Sequence, residues 1–329
     1  MHHSLSSRFR GALLGAAIGS SLSTLSQDFR HAESGLLSWR QADRAPAVPD
    51  SLKQATQLAI LGAESLVRWG KLGIQAWQDT IAPAPTAAPL QFRGGEQAIA
   101  TLPLLLFFHE DTTKLHLQLR QAVTFWAAPT AVEPSGEAQT EDAQGMGILG
   151  DAIAQILKHT LRPDTFLLSQ LHAPPLAESL RVTLQLIQQH LETGAGLTSL
   201  REGLLKSSQI SASHKAIGLA LYCFLSTPED FQLSLLQAKR TGYQTEVVCP
   251  LVGALSGAHN GMMGIPARWR FAAAVPQKAL PVWERSTNEI LQLADRLLAA
   301  WSGVCDPINQ TIAPNQFPAI FAPGVMRPL

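Results

Sequence analysis

The stretch that most constrains this chain runs from Thr241 to Trp269, TGYQTEVVCPLVGALSGAHNGMMGIPARW. Its middle has almost no polar side chain, and Gly253, Ala254, Gly257, Ala258 and Gly261 place small residues on successive helical turns. A helix that is apolar all round has to be surrounded by the rest of the protein, and small residues let neighbouring backbones approach closely. Gln244, Thr245 and Glu246 stand just before it, where a helix start collects unpaired N–H groups and the positive end of the dipole. Helix starts hold ligands readily, so these three are the first candidate binding residues.

Only one other segment has this character. From Arg10, residues Gly11, Gly15 and Gly19 recur every four positions beside Ala12 and Ala16, which leaves one helical face nearly bare. The two segments are expected to pack on each other, with Ser20, Ser21 and Ser23 facing outward or into a cleft. Around them the pattern predicts helices from Lys53 to Trp69 (N-capped by Asp50 or Ser51), Ala98 to His109, Leu115 to Trp126, Ile148 to Leu161, and an amphipathic surface helix from Leu176. His214 to Leu225 follows. Thr227-Pro228-Glu229-Asp230 then reads as a helix start with Thr227 as cap, and Ser286 with Glu289 as a capping box for a helix ending at Gly303. Ile81 to Gly95 reads as a loop, Ala128 to Gly147 as a mobile loop, and Asp306 to Leu329 as a Pro-rich tail. His109, Glu110 and Asp111 read as a solvated helix end, and Trp69, Trp77 and Trp126 as core or loop anchors. With no alternating strand runs, residues 1–329 are expected to form a single all-α domain of roughly ten helices.

Composition narrows the function. Lys plus Arg and Asp plus Glu are 25 each, so there is no basic field for nucleic acid and no acidic tail. Cys223, Cys249 and Cys305 lack metal-ligand spacing, and the first two sit in apolar helical contexts suited to core filling in a reducing compartment. Arg8 and Arg10 before an apolar run imitate a signal peptide, but the run is rich in Gly and Ala, no small-x-small cleavage site follows, and it is too short to span a bilayer. A cytoplasmic protein without a membrane segment is the expectation. No Gly-x-Ser-x-Gly elbow surrounds the serines, and no phosphate-binding Gly-rich loop ends in Lys-Ser or Lys-Thr.

Four blocks together resemble the ADP-ribosylglycohydrolase family. Arg8-Phe9-Arg10-Gly11-Ala12-Leu13-Leu14-Gly15 resembles its opening helix. Thr56-Gln57-Leu58-Ala59 resembles the end of its Thr-Asp-Asp-Thr motif, and Gly94-Gly95 with Leu102-Pro103-Leu104 its substrate-loop region. Gly253-Ala254-Leu255, Gly257-Ala258, Gly261, Ile265-Pro266 and Trp269 resemble its last central helix. The resemblance implies an all-helical fold, two magnesium ions in a cleft, and release of ADP-ribose from modified side chains. Carried over by position, however, the metal-binding acids are largely gone. Thr-Asp-Asp falls on Lys53, Gln54 and Ala55; Asp-x-Asp-Thr falls on Gln244, Glu246 and Val247; the acid of the opening motif falls on Ser20; and Glu96 and Ala100 stand near the last glycine and the arginine of an Asn-Gly-x-x-Met-Arg loop.

Magnesium requires near-octahedral oxygen ligands with carboxylates to offset its charge. Here Glu246 alone keeps a carboxylate and Lys53 adds a positive charge, so neither a metal cofactor nor metal-assisted hydrolysis is expected. Glu246 is expected to pair with Lys53 across the cleft. Lys53, Gln54, Thr56, Gly94, Gly95, Gln244, Thr245 and Glu246 remain candidate contacts to an ADP-ribose-like ligand. The resemblance thus implies a family member that has lost hydrolysis and serves as a binding or scaffold module. Two alternatives stay open: an active, metal-poor glycohydrolase with Glu246 as general base, and a structural subunit that holds a protein partner.

Overall fold

The computed structural model describes residues 3–24, 49–73, 95–127, 136–172, 176–273 and 282–303. Within them the chain is built of fourteen helices and no β-strand. Among the described residues none of these helices is long and apolar enough to cross a membrane.

The centre is an antiparallel pair, α1 (Leu5–Ser23) and α12 (Thr245–Gly264). Their contact is made by backbone. A Cβ built on Gly15 would lie 2.1 Å from the Gly253 carbonyl oxygen, one on Gly257 would lie 2.0 Å from the Gly11 oxygen, and one on Gly19 would lie 2.2 Å from the Cys249 oxygen. The two Gly/Ala-rich segments therefore meet as their spacing predicts, because no side chain holds the helices apart. Gly261 has φ of +62°, and a Cβ there would meet Ser7 Oγ at 2.8 Å, so glycine is required where α12 kinks against the start of α1. Ser7 Oγ accepts from the Met262 amide at 3.0 Å and fixes that corner.

Around this seam pack α2 (Asp50–Trp69), α3 (Glu96–Ala100), α4 (Leu102–Phe107), α5 (Thr112–Ala127), α6 (Gly136–Leu157) and α7 (Pro163–Leu171). They are followed by α8 (Glu178–Thr193), α9 (Leu197–Lys206), α10 (Ala212–Leu225), α11 (Phe231–Arg240), α13 (Ala267–Ala273) and α14 (Thr287–Ser302). Phe9, Leu13, Phe107, Phe166, Phe224, Trp269 and Trp283 are among the largest fully buried side chains. Cys223 and Cys249 lie in the same core as free thiols, and burial raises both pKa values, Cys249 to about 12. The Arg10 guanidinium grips Asp295 with two hydrogen bonds of 2.6 and 2.7 Å and ties α14 to α1.

Several expectations need correction. Residues 136–147, expected as part of a mobile loop, form the first half of α6; Ala143 and Met146 are buried there, so an apolar stripe was present beneath the acids. The rest of that stretch, 128–135, lies outside the described residues, as do Trp77, Gly94 and the Pro-rich tail. The apolar run 98–109 is two short helices broken at Thr101, whose hydroxyl bonds back to the Gln97 and Ala98 carbonyls. α2 begins at Asp50, with Pro49 preceding it and no side-chain cap. Thr227 does not cap α11; Asp230 does, accepting from the Leu233 amide at 2.9 Å. Trp69 is 45% exposed, with Arg68 stacked 5.0 Å from its ring centroid. His109 is buried between the rings of Phe9 and Trp301, and its Nδ1–H donates to the Leu106 carbonyl oxygen at 2.7 Å. Burial pushes its pKa down, so it stays neutral and offers no cation to the helix dipole. The capping box is as expected, with Ser286 and Glu289 satisfying each other's backbone amides.

Candidate functional site

Because α1 and α12 run antiparallel, the serine-rich end of α1 comes beside the polar start of α12. Ser20 and Ser21 are buried and donate back to the carbonyls of Ala16 and Ala17 at 2.9 and 3.0 Å. Ser20 Oγ also accepts from the indole Nε1 of Trp283 at 3.2 Å. Trp283 and Val282 belong to the short connection ahead of α14, and both are 1% exposed. The Val282 carbonyl accepts from Thr56 Oγ1 at 2.9 Å, while Thr56 also bonds the Lys53 carbonyl at 2.8 Å. The connection is thereby bonded to both the end of α1 and the first turns of α2.

The start of α2 also reaches α3. Ser51 Oγ donates to Glu96 Oε1 at 2.7 Å, and Glu96 is buried. Gly95 is buried against α12, where an added Cβ would lie 2.5 Å from Val247 Cγ1. Ala55, on the inner face of α2, is fully buried.

At the start of α12, Gln244 adopts a left-handed conformation with φ of +39° and makes no side-chain capping bond. Its Oε1 is buried without a donor among the described residues. Thr245 and Glu246 are half-buried, Lys53 is half-buried and Gln54 is exposed. Lys53 and Glu246 form no ion pair, contrary to the expectation. α2 is held toward Glu96, and the cation near Glu246 is Lys239 of α11. Lys239 is 4% exposed and donates to the Ser23 carbonyl at 2.8 Å; burial lowers its pKa, while Cys249 and Glu246 oppose that shift. Burial, reinforced by Glu246, raises the Tyr243 pKa.

The structure thus brings Gln244, Thr245 and Glu246 to one helix start, and Lys53, Gln54 and Thr56 to another. It withdraws Thr56 and Gly95 from solvent. Sequence reasoning missed Lys239, because a lysine in a last helical turn reads as an ordinary partner for the dipole. It also missed Trp283, which stands in a short connection without periodicity.

All-helical architecture around this seam has counterparts among solved structures. One such chain, titled "ADP-ribosylglycohydrolase-related protein complex", superposes with a TM-score of 0.59 over 90% of this chain and 98% of that one, at 19% identity, which establishes a shared fold. The profile of the ADP-ribosylglycohydrolase family matches residues 1–307, and the chain belongs to that family. A comparison with curated protein sequences gives no match.

The residues present do not fit the paired magnesium ions that the family resemblance implies. Ser20 is sealed under an indole, Ala55 and Val247 are apolar and buried, and Lys53 is cationic. Among the described residues, no three His, Cys, Asp or Glu side chains are placed to share a metal ion. Glu246 alone would leave most of a divalent charge and most of an octahedron unmet.

Proposed function

We propose that this member of the ADP-ribosylglycohydrolase family binds an ADP-ribose-like ligand at the starts of α2 and α12 without metal-assisted hydrolysis. The observation that carries the reading is the Trp283 indole donating to buried Ser20, which puts a neutral, water-free contact where the family resemblance places an acid. A second carboxylate introduced there would have to lose its hydration without a cation to offset the loss.

What remains at the helix starts suits neutral recognition. The Gln244 Oε1 has no donor of its own and would accept one from a sugar hydroxyl. The first amides of α12 with Thr245, and exposed Gln54 with the Lys53 ammonium at the start of α2, would supply polar contacts, the lysine offering a positive charge to a diphosphate. Thr56 and Gly95 support these groups from behind. In this reading residues 1–329 act as one domain, and two buried free thiols suit a reducing compartment such as the cytoplasm.

Calorimetry with ADP-ribose, with and without Mg²⁺, tests this. Binding that is indifferent to Mg²⁺, together with no ADP-ribose released from a modified protein, is the expected result. Mg²⁺-dependent release would overturn it, and release without metal would assign the general-base role to Glu246 instead.

A further inference from the structure

The opposite end of the central seam holds a cavity of about 340 Å³, lined by His3, Arg8, His159, Glu229, His259 and Asn260 among others. Thr245 and Asn260 are fifteen residues apart on one helix, so this cavity is roughly 22 Å from the helix start described above. It belongs to no part of that site.

Its central feature is a buried cation without an anion among the described residues. Arg8 is 4% exposed. One terminal nitrogen donates to the Ile156 carbonyl oxygen and the other to His159 Nδ1, at 2.7 Å. Neither acceptor carries a negative charge. A guanidinium has five N–H donors, so three remain, and Nε is buried with no partner among the described residues. The ion pairs of the described residues include none to Arg8. Burying a charge in this way is strongly unfavourable unless something compensates it.

The surroundings are arranged for an anion. His3 and His259 line the cavity together with Arg8, and His159 completes a set of three imidazoles. The one lining carboxylate, Glu229, is directed to solvent with 87% of its side chain exposed, and it contacts His259 Nε2 at 3.3 Å. The first turn of α1 carries no acidic side chain, so the helix dipole adds to the positive potential. Burial lowers the His3 pKa, the charges of Arg8 and His259 add to that, and Glu229 opposes it.

We propose that this cavity is an oxyanion site, in which Arg8, His3 and His259 hold a phosphate or the terminal phosphoryl group of a larger molecule. Arg8 is the anchoring residue, and His3 and His259 supply neutral or protonated N–H donors from the rim.

Inorganic phosphate titrated into the full-length protein, followed by calorimetry and ³¹P line broadening at constant ionic strength against chloride, provides the test. Saturable binding is expected, weakened roughly tenfold to a hundredfold by Arg8→Met, as loss of a charge-assisted hydrogen-bonding group implies. His259→Gln and His3→Gln, on the rim, are expected to weaken it less and keep the fold, so they decide the matter if Arg8→Met does not fold. Glycerol phosphate separates the sources: tighter binding than phosphate assigns the site to a phosphoryl group on a larger molecule, and equal or weaker binding assigns it to the free anion. Absence of saturable binding, or affinity unchanged in all three variants, would overturn the proposal.

Discussion

The seam between α1 and α12 makes a sharp demand on Gly15. An alanine Cβ there would sit 2.1 Å from the Gly253 oxygen, whereas real Cβ atoms essentially never come closer than 3.0 Å, so the backbones have to part by 3.0 − 2.1 = 0.9 Å. No side chain can turn aside, since the obstructing atom is a carbonyl oxygen in a buried helix. Parting the helices at Gly15 also loosens the glycine contacts one turn away on either side, and a gap of about 0.5–1 Å forfeits roughly a quarter to a half of each dispersion contact. Overpacking of this kind costs about 3 kcal/mol or more. The better helix propensity of alanine returns about 1 kcal/mol, leaving a net loss of about 2 kcal/mol or more. Gly203, within α9, is the matched control, because a Cβ there meets nothing within 4 Å. Gly203→Ala is expected to stabilise by about 0.5–1 kcal/mol. Thermal melts followed by circular dichroism should show Gly15→Ala lowered by about 4 °C or more and Gly203→Ala raised by about 1–3 °C. Gly253 opposes Gly15 symmetrically, with its own Cβ position 2.1 Å from the Gly15 oxygen. Once one alanine has parted the helices, the second meets less resistance, so the double variant should lose clearly less than the sum of the singles. A Gly15→Ala protein that melts with the wild type or above it would refute the account of the seam.

Two further outcomes follow from the same contacts. Trp283→Phe keeps the bulk over Ser20 but removes the indole donor and should lose about 1 kcal/mol in urea unfolding, whereas Trp283→Ala should lose about 3–5 kcal/mol; equal losses would show that the hydrogen bond matters little. Burial pushes the His214 and His109 pKa values below the ordinary 6.5, so their contribution to stability is complete above that value and is lost as pH falls through the lowered folded values. His214→Gln should therefore flatten the decline in unfolding free energy between about pH 7 and pH 5, and an unchanged slope would contradict a neutral buried imidazole.

Much of the fold was legible because its defining contact leaves a periodic trace. Glycines four apart in two distant segments mean that bare helical faces meet, and Ser286 three residues before Glu289 announces a helix start. The first half of α6 was hidden because its acids and small residues outnumber the apolar ones that reach the core. His109 was misjudged because a histidine at the end of an apolar run looks the same from sequence whether water or Trp301 lies beyond it. Near the candidate site, the replaced acids were readable by position, but Trp283 and Lys239 were not, since what brings them to Ser20 and Ser23 is the path of connections and burial rather than any local pattern.

The central pair also sets the order of events during synthesis. Ser23 ends α1 and Thr245 begins its partner, so more than two hundred residues separate them, and at about 5–20 residues per second α1 waits roughly 10–45 s for α12 to leave the ribosome. Throughout that interval a helix with fourteen buried residues in the native state has no mate of its own. Its bare glycine face and apolar sides must be sheltered by chaperones or by provisional contacts, so the folding yield of this chain should depend on that shelter far more than its native stability does.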